Sequence, residues 1–104
     1  MALTPNLKYG TTIAGIQGAT PQTLIAAVAS TKHRIFLLTV SVDTAGLVSI
    51  GDIASLKAYL PANGSFTFDM GGQGVVQTTA NTNITITNAG GGNVTGNCIY
   101  SVEA

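Results

Sequence analysis

Charge is the scarcest property of this sequence: 8% of its 104 residues are Asp, Glu, Lys or Arg, four basic against four acidic. A surface so poor in charge has to be covered by small neutral polar groups, or by other copies and partners. Lys8, Lys32, Lys57 and Arg34 are scattered. No basic run supplies the phosphate neutralisation on which nucleic-acid affinity depends, so nucleic acid is excluded as a partner. Zero net charge also removes the repulsion that keeps like copies apart, which points to self-association.

Cysteine occurs once, at Cys98, which excludes an intrachain disulfide and a four-cysteine metal site. Tryptophan is absent, and the aromatics Tyr9, Phe36, Tyr59, Phe66, Phe68 and Tyr100 are mostly expected to face inward, which speaks against a carbohydrate platform. No apolar stretch approaches the roughly 20 residues of a membrane-spanning helix. Residues 1–10 hold no apolar run of the kind a signal peptide needs. A membrane is therefore not an expected partner, and synthesis and folding in the cytosol are.

Catalytic chemistry is equally sparse. The one histidine, His33, stands between Lys32 and Arg34 and is expected at a solvated strand end, without the nucleophile and orienting acid that a base requires. Cys98 has no cation beside it and is expected as a small buried hydrophobe. Asp43, Asp52, Asp69 and Glu103 adjoin expected turns or the chain end: Asp43 opens a turn, Asp52 caps a short helical turn, and Asp69 faces outward. Neither calcium-loop nor zinc spacing occurs, and the glycines at 71, 72 and 74 are not followed by Lys-Ser/Thr, so they form a loop and not a phosphate cradle. No catalytic, metal-binding or cofactor-binding residue is nominated; no cofactor and no enzyme activity are expected.

What the chain does have is Gly and Asn punctuating short β-branched runs, the pattern of many strands joined by turns. The expected fold is all-β, an antiparallel β-sandwich of jelly-roll type with an extended N-terminal arm. Residues 33–42 give the clearest strand, with Phe36, Leu38, Val40 and Val42 on one face. Ile35 and Leu37 break the alternation, as if that end were covered on both sides by a loop or a neighbour. Residues 47–50, 65–70, 83–87 and 94–102 repeat the period of two, with Gly96 allowing a bulge or close approach. The three glycines within 88–93 are expected to make a hairpin between the last two strands. Residues 21–29 fit a helix or a covered strand, and strand is favoured; Ile53, Leu56 and Tyr59 allow a helical turn or a crossing loop.

Domain boundaries follow: residues 1–18 as the arm and 19–104 as the sandwich. Ile25, Ile35, Leu37 and Ile99 are the candidate oligomer interface, apolar positions that a monomer would expose. Leu3, Pro5, Leu7 and Tyr9 are the candidate contacts of the arm.

The succession Thr23-Leu24-Ile25-Ala26-Ala27-Val28, residues 32–42, Ala45-Gly46-Leu47-Val48-Ser49-Ile50, Pro61-Ala62-Asn63-Gly64-Ser65-Phe66 and Val94-Thr95-Gly96-Asn97-Cys98-Ile99-Tyr100 resembles small β-sandwich or jelly-roll virion proteins of tailed bacteriophages, capsid decoration (cement) proteins among them. The resemblance implies a non-enzymatic structural protein on the virion surface, made in the host cytoplasm. It also implies a homo-oligomer, commonly a trimer, seated on the major capsid protein and stiffening the shell. It carries no site residues. A tail-tip or fibre head, binding a host glycan or protein through residues 71–74 and 89–93, is the competing expectation; a small hydrolase is a third.

Overall fold

A computed structural model describes residues 12–103 as nine strands. These are β1 (Thr12–Ala19), β2 (Gln22–Ile25), β3 (Lys32–Val42), β4 (Gly46–Ile50), β5 (Lys57–Leu60), β6 (Ser65–Asp69), β7 (Val75–Val76), β8 (Ile84–Asn88) and β9 (Asn93–Glu103). Sheet A runs β1-β9-β3-β6, with β7 also on β3; sheet B runs β2-β8-β4-β5. Every pairing is antiparallel. Setting β7 aside, the first strand pairs the last, the second the seventh, the third the sixth and the fourth the fifth. A long folded-back ribbon rolled so that β3 meets β9 and β4 meets β8 gives that order, which is the jelly roll.

The expected sandwich is present, and its core lies between the sheets. Ile35, Leu38 and Val40 of β3 face Val48, Ile50, Ile84 and Ile86 of sheet B, all with no exposed surface. Each such side chain removed from water contributes about 1.5–3 kcal/mol. Gly96 on β9 is a point of close approach between the layers, where a Cβ would collide with Ile86 Cδ1.

Several expectations are corrected. Residues 12–18 are not part of an arm: they form β1, paired along its length with β9 from Thr12↔Tyr100 to Ala19↔Asn93. Gly15 and Gly18 hid an alternation in which Ala14 and Ile16 pack on the core. Residues 88–93 are not a hairpin, because β8 belongs to sheet B and β9 to sheet A. They cross between layers, with the positive φ of Gly91 and Gly92 (87° and 75°) and with Gly90 pressed against the Ala45 carbonyl. Residues 22–25 are strand, as favoured, and the chain leaves it at residue 26. Ile53 and Leu56 are buried in turns of a crossing loop without helix.

The contact at Gly96 yields a coupled prediction. Gly96→Ala should destabilise by about 1–3 kcal/mol through overpacking, and Ile86→Val by about 0.5–1.5 kcal/mol. Because Ile86→Val removes the colliding Cδ1, the double variant should lose at least about 0.5 kcal/mol less than the sum of the two. Urea unfolding of the four proteins measures this; strict additivity would mean the sheets do not touch there.

Candidate functional site

The surface that stands out is the outer face of sheet A. Register alone places its side chains, because residues directly opposite one another share a face. One row is Gln17, Thr95, Ser41 and Ser65, and the next is Gly15, Asn97, Thr39 and Thr67. The third is Ile13, Ile99, Leu37 and Asp69. The first two rows are uncharged hydroxyls and amides, with Thr39 and Thr67 Oγ1 3.2 Å apart. The third begins with Ile13, 78% exposed, and continues into the half-buried Ile99 and Leu37.

Two of the four candidate interface residues reach this face and two do not. Leu37 and Ile99 are neighbours on this face. Ile35 is fully buried and Ile25 is 4% exposed, both in the core. The reason is a register shift in each strand, between Ile35 and Leu37 in β3 and between Thr23 and Ile25 in β2. The extra residue turns Ile35 inward and leaves Phe36 beneath the residue 71–74 loop, where a Cβ on Gly74 would lie 2.8 Å from the Phe36 ring. Ile13, the most exposed apolar member of the row, falls within the span that the sequence predicts as arm. Leu3, Pro5, Leu7 and Tyr9 lie outside the described residues.

At one end of this face is an open polar hollow of about 240 Å³, lined by Gln17, Ser41, Val42, Asp43, Asn63, Asn93 and Thr95. Asp43 Oδ1 accepts hydrogen bonds from the Asn93 amide (2.8 Å) and the Thr44 hydroxyl (3.0 Å). These two bonds, the Asn93 amide first, hold its carboxyl below 3.8. Next to it, Asn88 ties the crossover: its Nδ2 donates to Thr44 O, and its Oδ1 accepts from Gly90 N.

The opposite end is closed by different groups. His33 is fully buried, not the solvated strand end expected, because it shares the inward face of β3 with the buried Ile35 and its ring packs edge-on against Tyr100, centroids 5.6 Å apart. Gln77 Oε1 accepts from the His33 amide at 2.7 Å and lies 2.8 Å from Nδ1, while Gln77 Nε2 donates to Thr82 O. Oε1 thus faces Nδ1 as an acceptor, which assigns the proton to Nδ1. Arg34, pointing the other way, donates to both carboxylate oxygens of Glu103 (2.9 and 3.4 Å) and to Gln73 O. Asp52 does not cap a helix; it accepts from the amides of Thr78 and Thr79 across a loop. Desolvation pushes its carboxyl up, but those bonds outweigh it and the net shift is downward. Asp69 does bond its own turn, at Gly71 N.

On sheet B, Tyr59 is 81% exposed rather than inward, directly opposite Leu47. Among the described residues no three of His, Cys, Asp and Glu gather closely enough to hold a metal ion. Comparison of the chain with protein-family models, curated proteins and solved structures finds no match.

Cys98 is the small buried hydrophobe expected, 3% exposed on the inward face of β9. Burial pushes its thiol from 9.0 up to about 11, a bond with the Ala14 backbone opposing only in part. With a folded value above the unfolded one, stability is unaffected below pH 9 and falls as the unfolded thiol ionises, by about 2 kcal/mol at pH 11. Chemical denaturation from pH 7 to 11 should show a steeper alkaline loss in the native chain than in Cys98→Ala. Equal slopes would mean that the thiol is wetter than its position in β9 indicates.

Proposed function

We propose that this chain is a non-enzymatic structural protein of a bacteriophage virion, a capsid decoration protein. It binds the outer capsid surface as an oligomer and stabilises the shell, with the major capsid protein as its partner. The observation that carries this reading is the outer face of sheet A: a neutral surface of Thr, Ser, Asn and Gln bordered by the apolar row Ile13, Ile99 and Leu37. Uncharged hydroxyls and amides lose less on desolvation than charges do, so such a face can be covered without needing an ion-pair partner for each residue. The jelly-roll order is compatible, since viral capsid domains use it, though lectin domains do as well and topology alone does not decide between them. Many copies on a regular lattice then hold the shell through summed weak contacts.

The polar hollow at Asp43 favours a second reading, a tail-tip or fibre head that takes a host glycan between Asp43, Asn63 and Asn93. Sheet face and hollow are separable by substitution. Thr67→Lys with Asn97→Lys charges the centre of the face at two exposed positions. In sedimentation with empty capsids, the native protein should pellet with the shell and the double variant should bind about tenfold more weakly or worse. Co-sedimentation undiminished by the two lysines, or no binding by the native chain, rejects the decoration role. Asp43→Ala abolishing attachment to host envelopes would establish the second reading in its place.

A further inference from the structure

A sandwich of two open sheets has four edge strands, and each presents unpaired N–H and C=O groups that invite another strand. Three of these edges carry the usual protection. On sheet B, β2 is four residues long, is preceded by Pro21 and is broken by a register shift. At the other side of that sheet β5 is also four residues long, begins with Lys57 and runs into Pro61. On sheet A the β6 edge is five residues long and ends at Asp69, with the two-residue β7 beyond it. Short strands, prolines, charges and bulges are the devices that keep an edge from pairing.

The fourth edge has none of them. β1, Thr-Ile-Ala-Gly-Ile-Gln-Gly-Ala, is eight residues long, with no charge, no proline and no register shift. Among the described residues β9 is the one strand that pairs with it, and on its last residue the Ala19 carbonyl accepts from Gln22 Nε2 at 2.7 Å. Every second N–H and C=O along it therefore points out of the sheet. Its largest outward side chain, Ile13, is 78% exposed at that border.

We propose that β1 is the joining edge of a two-fold dimer, in which β1 of one copy pairs antiparallel with β1 of a second and fuses the two A sheets into one. A second copy is the occupant because the strand offers no charge by which to select a foreign chain, whereas antiparallel pairing about a dyad needs only complementarity to itself. Zero net charge leaves the copies without mutual repulsion. Centred on Gly15, the pairing sets Ile13 beside Gln17 of the partner subunit on the outer face and Ala14 beside Ile16 of the partner subunit on the inner. Both faces then continue across the join in phase. One strand pair buries less than a standard interface, so the dimer is a weak one that assembles at micromolar concentrations or above. The dimer goes beyond the decoration role and holds whether or not the chain docks on a shell.

Analytical ultracentrifugation of the full chain from about 1 µM to 1 mM, with amide hydrogen exchange at both ends of that range, tests this. The native chain should convert from monomer to dimer. Protection along β1 should change from every second amide in the monomer to consecutive amides in the dimer. Ile13→Lys with Gln17→Lys, two exposed outward positions, places like charges across the dyad and should raise the dissociation constant by about a hundredfold. Gln17→Lys alone should act in the same direction, and core protection should stay native in both. A monomer at every concentration, a dimer in which β1 keeps alternating protection, or one that survives both lysines overturns the proposal. Consecutive protection of β1 at monomer mass would mean that a segment of the same chain covers the edge, and overturns it too.

Discussion

Ten rungs join β3 to β9, and that ladder decides what the whole molecule buries and what it shows. Side chains in a strand alternate strictly, so His33 and Ile35 on one face commit Leu37 to that face and send Leu38, Val40 and Val42 to the other. An eleven-residue strand with those residues would bury one half and expose the rest. The shift between Ile35 and Leu37 resolves the conflict by adding one residue at Phe36, after which Leu38, Val40 and Val42 resume facing sheet B. Leu37 turns outward in the process. The same geometry that completes the core creates the half-buried apolar row on the outer face.

With no disulfide available, the two ends of the sandwich are held by side chains bonding to the main chain of distant loops. Asn88 and Asp43 join the crossover 88–93 to the turn after β3; Gln77 and Asp52 join the loops at the other end. Each net hydrogen bond adds only about 0.5–1.5 kcal/mol. Their larger effect is positional, because they fix where the strands enter and leave the sheets. The hollow at Asp43 adjoins that tying, since Asp43 and Asn93 both line it and bond to each other to brace the turn.

The strands were legible wherever alternation was clean: β3 beyond Leu38, β6, β8 and β9 were placed by period two alone, and Cys98 fell on the correct face. Where a bulge changes the phase, sequence reasoning sent Ile25 and Ile35 to the surface, since nothing local marks which residue will be the extra one. Ile13 was missed because Gly15 and Gly18 thin the apolar signal of β1, and only its pairing with β9 identifies that segment as strand. The glycine run before β9 predicts a hairpin from sequence because positive φ serves both a tight turn and a crossing between layers. What separates them is non-local, namely that Val94 and Ile86 belong to different sheets.

The few charges complete the picture by where they stand. Asp43 and Asp52 brace loops, Arg34 and Glu103 pair at one end of sheet A, and Lys57 and Asp69 mark the edges at β5 and β6. None falls among Gly15, Gln17, Ser41, Thr39, Thr95, Asn97, Ser65 and Thr67 on the outer face, and none on β1. With the charges of the described residues away from their centre, the face and the edge are chemically continuous. That continuity matters because desolvating a charge costs far more than desolvating a hydroxyl or amide that can be hydrogen-bonded again. A single lysine at the middle of this surface would separate the sheet face from the β1 edge. Its absence lets a strand pairing at β1 extend the neutral face instead of ending it.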